Sequence, residues 1–272
     1  MRRRLALTLT ALTTTAVLAA CGGGDAELSA ADEPLRVGAS PVPHAEILRF
    51  VDENLAEDAG LDLDIVEFTD YVQPNVALDD GSLDANFFQT VPYLEEQESS
   101  AGYDFSALAP VHVEPLGIYS RSLTDLADLP QGATVAIPND PTNAARALQL
   151  LAANDLVTLA DTGDAAPTSL DVESSAKDLQ ISEVEAAQVP RSLADVDIAV
   201  VNGNYAIDAD LSPAEDALAL EEAEGNPNAN LLVVRAGDEE EERIATLEEL
   251  LHSDEIRQFI TETYAGAVIP AF

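Results

Sequence analysis

The chemistry-bearing residues of this chain gather most clearly between Thr134 and Arg146, in Thr-Val-Ala-Ile-Pro-Asn-Asp-Pro-Thr-Asn-Ala-Ala-Arg. Arg146 offers a planar fork of donors that can pair two-on-two with a carboxylate. Asp140 followed by Pro141 signals a helix start, an acceptor at the N-cap and a proline at the first helical position. Free N–H groups at such a start attract anions when a strand delivers them to the carboxyl edge of a sheet. Arg146, about one and a half turns into that helix, would add its charge to the same place. A structural cap with a surface arginine fits these residues equally well, and the stretch alone does not choose.

The elements that must position these groups follow from periodicity. Val135 to Ile137 reads as a buried strand, and Leu148, Leu150 and Leu151 carry the helix on towards Asn154. Upstream, Leu35 to Val37 is a strand, and Ile47, Leu48, Val51 and Leu55 lie at helical spacing before Gly60. Leu61, Leu63 and Ile65 alternate with aspartates as a strand does. Phe68 to Asn75 is a loop entering a short helix that ends near Gly81. Ala85 to Phe87 is a short strand, a helix starts near Pro92, and Val111 to Tyr119 is extended but interrupted by Pro115 and Gly117. Leu123 to Leu129 suggests a short helix; Leu179 to Val184, Asp197 to Val201 and Leu231 to Val234 read as strands. Two helices close the chain, the second capped by Ser253 and stopped at Gly266. Alternating strands and helices predict an α/β protein, and two α/β lobes are the economical arrangement.

The N-terminus is a separate matter. Arg2, Arg3 and Arg4 precede an apolar run, Leu5 to Ala19, shorter than an ordinary membrane span. Residues 1–20 therefore read as a signal peptide. It ends in Leu-Ala-Ala-Cys21, which resembles the lipobox of bacterial lipoproteins; that resemblance implies cleavage before Cys21 and its acylation. Cys21 is the only cysteine, so no internal disulfide and no cysteine-based zinc site can form. Residues 21–33, beginning with three glycines, read as a flexible tether.

The formal charge of −39 would fall to −42 once Arg2, Arg3 and Arg4 are removed, and Lys177 is the only lysine. That balance excludes nucleic acid as a partner, which requires a basic patch. Self-repulsion of this size opposes compaction unless salt screens it, so the chain reads as salt-adapted. Dense carboxylates also make acidic pairs uninformative: Asp79-Asp80, Glu95-Glu96 and Glu239 to Glu242 are read as solvated faces. His44, His112 and His252 share no metal-ligand spacing, so no metal is expected. The chain lacks a Gly-x-Ser-x-Gly elbow, a phosphate loop and a dinucleotide fingerprint, so no cofactor is expected and binding is favoured over catalysis.

Three segments together carry a family resemblance. They are Phe68 to Asn75 with Asp84 to Tyr93, Val135 to Asn143 with Arg146, and Glu185 to Leu193 running into Val200 to Tyr205; His112 to Ser120 adds a fourth. The chain from about Leu35 onward resembles the methionine-binding lipoproteins of bacterial ABC importers, the NlpA/MetQ group. The resemblance implies a type II periplasmic-binding-protein fold, with lobe 1 over 34–117 and 206–272, lobe 2 over 118–205, and crossovers near Gly117 to Arg121 and Asn202 to Ala206. It implies that Tyr71, Phe88 and Tyr93 line a side-chain pocket, that Arg146 holds a ligand carboxylate, and that Asn202 meets its amino or carboxylate group. Asn143 and Gln89 would be neighbours. Many family members carry Phe-Gln-His where this chain has Phe88-Gln89-Thr90, and losing that imidazole changes the polar part of the pocket. The implied protein is a monomer, anchored by lipid on the outer face of the membrane, with no enzymatic activity. It would pass L-methionine to a permease driven by an ATPase; another apolar amino acid, a methionine-containing dipeptide, or a non-transport lipoprotein are the alternatives.

Overall fold

The computed structural model describes residues 28–31 and 33–272. The signal peptide, Cys21 and the first half of the tether lie outside the described residues. The strands are β1 (Leu35–Ala39), β2 (Leu63–Glu67), β3 (Ala85–Thr90), β4 (Phe105–Val113), β5 (Gly117–Tyr119), β6 (Thr134–Pro138), β7 (Val157–Leu159), β8 (Val172–Ser175), β9 (Gln180–Val184), β10 (Ile198–Val201), β11 (Ala217–Leu220), β12 (Ala229–Arg235) and β13 (Ile269–Pro270).

They form two main sheets, each the spine of one α/β lobe. The first runs β13-β4-β12-β3-β1-β2 and the second β11-β5-β10-β6-β9, with β7 and β8 paired separately. β1 lies parallel to β2 and β3, while β12 runs antiparallel between β3 and β4. In the second sheet β6 is parallel to β9 and β10, so their carboxyl ends share one edge. The C-terminal helices Glu242–Leu251 and Asp254–Tyr264 return to the first lobe, where Ile244, Leu247, Leu251, Ile256 and Ile260 pack with Leu35, Val37, Leu48 and Phe87. Leu148, Leu151, Val135, Ile137, Ile198 and Val200 fill the second lobe. Apolar residues on both faces of β6 and β10 fit strands covered on both sides.

The chain crosses between sheets twice, and both passages depart from expectation. The first lies between Val113 and Gly117, just before the predicted 117–121. Pro115 lacks a ladder donor, so the extended run breaks there. The second was expected near Asn202 to Ala206, yet the helix Gly203–Asp208 packs Tyr205 and Ala206 against Tyr119, Ala199 and Val201. β11 then joins β5 in the same sheet, and the chain leaves only between Leu220 and Ala229. Lobe 2 thus runs past 205 to about Leu220. β11, Ala-Leu-Ala-Leu, is half-buried and gives no clear alternation.

Two local expectations also need correction. Leu123 to Leu129 forms only a 3-10 turn, Leu126–Asp128, capped by Asp125. The tether is shorter than 21–33, because its last residues are held. Arg243 donates to the carbonyl oxygens of Ser29, Ala30 and Glu33 at 2.7, 3.1 and 3.1 Å. Ser29 N–H donates to Asp84 at 2.7 Å. Composition alone cannot reveal a distant guanidinium that collects free carbonyls.

Candidate functional site

A cleft between the lobes is lined by Tyr71, Phe88, Gln89, Thr90 and Tyr93 from the first and by Asn143, Arg146, Asn202, Gly203 and Asn204 from the second, with Glu114 and Asn230 at its base. All eight cleft residues expected from the sequence, Tyr71, Phe88, Gln89, Thr90, Tyr93, Asn143, Arg146 and Asn202, are brought together there.

The second-lobe wall is a chain of fixed orientations. β6 ends at Pro138, and Asp140 caps the helix Pro141–Ala153 by accepting from Asn143 N–H at 2.9 Å. The same carboxylate accepts from Asn143 Nδ2 at 2.9 Å, which turns Asn143 Oδ1 towards the cleft as an acceptor. That oxygen receives Arg146 Nη1 at 3.1 Å and Asn202 Nδ2 at 2.8 Å. Asn202 is thereby oriented too: its amide donates away, leaving Oδ1 buried without a partner among the described residues. An unpaired buried acceptor is costly, so this oxygen is a place for a donor to arrive. Arg146 also pairs with Glu221 two-on-two, Nε to Oε1 at 3.1 Å and Nη2 to Oε2 at 2.6 Å. Of the five guanidinium N–H groups three are thus committed, and two remain.

The base of the cleft has the opposite character. Glu114 is buried, and burial pushes its carboxyl above the usual range, against the pull of His44 and Arg146 and a backbone hydrogen bond from Asn204. His112 Nε2 lies 2.8 Å and His44 Nε2 3.2 Å from Glu114 Oε1, and His44 Nε2 also lies 3.0 Å from Asn230 Oδ1. Burial lowers His44 to about 4 and His112 to about 3, so both imidazoles are neutral near pH 7. Gly203 makes the approach possible: a Cβ there would sit 2.8 Å from the Glu114 Cβ.

Ligand atoms of His44, His112 and Glu114 lie within 4.8 Å of one another, a separation a metal ion could bridge. Hydrogen bonding accounts for that convergence on its own. Moreover, Nδ1 of each imidazole is buried without a partner among the described residues, whereas a metal-bound histidine ordinarily donates its other N–H to an acceptor. The three side chains are better described as a carboxylate held by two neutral rings.

The third region is aromatic. Tyr71 stands 5.9 Å from Phe88, 5.9 Å from Tyr93 and 4.9 Å from Tyr205, ring centre to ring centre. Tyr71 also reaches across the cleft, its hydroxyl donating to Asn204 Oδ1 at 2.6 Å, and Tyr205 donates back to Thr69 O at 3.3 Å. Phe87 faces away from Phe88, into the first core against His44, as strand alternation requires. Gln89 differs from the expected ligand neighbour: its amide is fully engaged with Asn75 and Asn86 in a buried network. Thr90 is buried and pairs along the ladder with Asn230.

Sequence reasoning missed Glu114, Asn204, Asn230 and Glu221. Glu114 had a signal. It is the single carboxylate in the otherwise apolar run Val111 to Tyr119, two residues after His112.

The family model described as NlpA lipoprotein matches residues 35–272. A lipoprotein from Actinomyces odontolyticus, solved as a crystal structure, is 48% identical, with a TM-score of 0.84 over 88% of this chain and 99% of that one. A nutrient binding protein from Burkholderia cenocepacia, solved bound to methionine, is 43% identical, with a TM-score of 0.84 over 88% of this chain and all of that one (100%). The methionine-binding lipoprotein MetQ of Bacillus subtilis is 38% identical over 260 residues, 93% of each chain.

Proposed function

Because the chain belongs to the NlpA lipoprotein family, we propose that it is the substrate-binding component of an ABC importer and that it captures L-methionine between its lobes. The carrying observation is the pairing of unmet demands across the cleft. Arg146 has two free donors, and beside it in the same wall Asn202 Oδ1 is an acceptor without a partner among the described residues. At the base, the Glu114 carboxylate is in contact with two histidines and with no lysine or arginine among the described residues. A zwitterion satisfies both, its carboxylate on Arg146 and its ammonium between Glu114 and Asn202. The thioether would lie among Tyr71, Phe88 and Tyr93, where a polarizable sulfur gains from ring edges.

The protein does no chemistry in this reading. Closure of the lobes, latched by Tyr71 on Asn204 and Tyr205 on Thr69, is the mechanism. Cys21 would carry the lipid that holds the domain on the outer face of the membrane, where a permease and its ATPase receive the ligand. The chain would act as a monomer.

Native mass spectrometry of the protein as purified, followed by calorimetry with L-methionine, tests the assignment. We expect a bound mass equal to methionine and one-to-one binding. A dipeptide mass, or binding of other apolar amino acids in preference to methionine, would move the ligand class. No binding of any amino acid would end the reading.

A further inference from the structure

We propose that Glu221 is a positioning residue for ligand capture: it hangs the Arg146 guanidinium from the two crossover segments that join the lobes and so presents its free edge to the ligand carboxylate. The inference rests on the reading that Arg146 meets that carboxylate, and goes beyond it by naming what aims the arginine.

Glu221 is the residue at which the chain leaves the second sheet after β11. Leu116, the last residue before β5, is where the chain enters it. The two are tied to each other: Glu221 N–H donates to Leu116 O at 2.9 Å, and Leu116 N–H donates to Glu221 Oε2 at 3.0 Å. Asn226 Nδ2 donates to the same oxygen at 3.3 Å. Glu221 Oε1 accepts from Arg146 Nε and Oε2 from Arg146 Nη2, and the two side chains are only 15% and 10% exposed. The two carboxylate oxygens thus hold one guanidinium edge, Nε with Nη2, while the backbone N–H of Leu116 holds the carboxylate. The guanidinium is aimed from a point that both lobes share.

The alternative partners of Arg146 show why aim matters. Glu114 and Asp140 both feel its charge. Without Glu221 the flexible side chain would turn to one of them. Turning to Glu114 would fill the cleft and remove the acceptor for the ligand's ammonium in one movement. Neutralising Arg146 with Glu221 weakens its bare attraction for an anion, but it preserves the geometry that a two-on-two contact requires.

The test separates aim from charge. Affinities of the wild type and of Glu221→Gln are measured by calorimetry for L-methionine and for L-methionine amide, which keeps the ammonium and the thioether and lacks the carboxylate. The wild type should prefer methionine by about tenfold or more, as expected for a hydrogen bond to a charged group. Glu221→Gln should lose most of that preference, with the amide's affinity changing less than about threefold. Loss of folding would lower both affinities together, so the ratio is the readout. Should Glu221→Gln not fold, Glu221→Asp withdraws the oxygens by one methylene and must give the same collapse. A preference retained or enlarged in the variant overturns the inference and leaves the proposed function standing. A wild type that binds acid and amide equally well overturns both.

Discussion

The two polar ends of the cleft are built on opposite plans. At the second-lobe end every group is oriented by another: Asp140 turns Asn143, Asn143 turns Asn202 and receives Arg146, and Glu221 fixes the guanidinium from behind. The positive charge there is balanced before any ligand arrives. At the base, one buried carboxylate is held by two neutral imidazoles and, among the described residues, has no lysine or arginine in ion-pair contact. One end is therefore a rigid, neutralised fork that recognises by geometry, and the other an unmet charge that recognises by sign. A zwitterion needs both, because desolvating its two charges is costly unless each finds a partner.

The largest effect should come from breaking the balanced end. Arg146→Ala removes the fork and strands Glu221, a largely enclosed carboxylate whose pKa is held down, against burial, by the hydrogen bonds and charge of Arg146. Methionine affinity should fall by about a hundredfold or more, and stability by about 3–5 kcal/mol, the cost of breaking a buried pair by removing one partner. Calorimetry and chemical denaturation read the two separately. Unchanged methionine binding in a folded variant would show that the balanced end is structural only.

Glu114→Gln tests the other end with almost no change of shape. Methionine should bind about tenfold to a hundredfold more weakly, through loss of one charge-assisted contact. A des-amino analogue of methionine should bind the variant at least as well as it binds the wild type. Equal losses for both ligands would mean that the carboxylate shapes the cleft without meeting the ammonium.

The same comparison shows what the sequence could and could not convey. The helix start was legible because it is local: an N-cap aspartate, a proline and a strand ahead of them fix the geometry over a few residues. The stretch left Arg146 open between a ligand fork and a surface side chain, and Asn143 entered through the resemblance. Phe88 entered through the family resemblance, since the strand read from the sequence ended at Phe87. Glu114 was not, because a chain with 51 acidic residues makes any one carboxylate look like a solvated face. What sets it apart is burial, arranged by His44 and Asn230, which lie 186 residues apart in sequence. Glu221 was hidden for a related reason: it starts a run with Glu222, and its partners Leu116 and Arg146 are distant in the chain. The second crossover was misplaced because β11 carries no period that distinguishes strand from loop.

Acid should act on the base before it acts on the fork. His44 at about 4 and His112 at about 3 lie below the unfolded value of 6.5, so between those values the unfolded chain binds more protons. Stability therefore falls as pH drops through that window. Glu114, Asp140 and Asp238, their carboxyls pushed up by burial from ordinary values of 4.5, 3.8 and 3.8, oppose this in sign, most strongly at the acid end of the window. Carboxylates held low, such as Glu221 and Asp84, lose their contribution only below their ordinary values of 4.5 and 3.8. The interval from 6.5 to 4.5 thus belongs to the imidazoles, and the thermal midpoint should decline across it. His112→Asn should flatten that decline. A wild-type midpoint constant across the interval would mean that the rings are not buried as neutral groups.

Salt should separate the cleft from the surface, with the smallest effect on binding. Arg146 and Glu221 are nearly enclosed, so mobile ions screen them little. The exterior is different: a formal charge of −39 repels itself across distances that ions can enter. The screening length shortens from about 10 Å at 0.1 M to about 3 Å at 1 M, so most of that repulsion should vanish over this range. We expect the thermal midpoint to rise steadily with sodium chloride and then level off, while methionine affinity changes by less than about threefold. Chloride is the appropriate anion, because sulfate would also strengthen apolar burial by exclusion and confuse the two causes. A midpoint that stays flat or falls would mean the acidic surface does not oppose folding. An affinity that fell in step with salt would place the fork in open solvent, against the enclosure on which the contrast between the two ends depends.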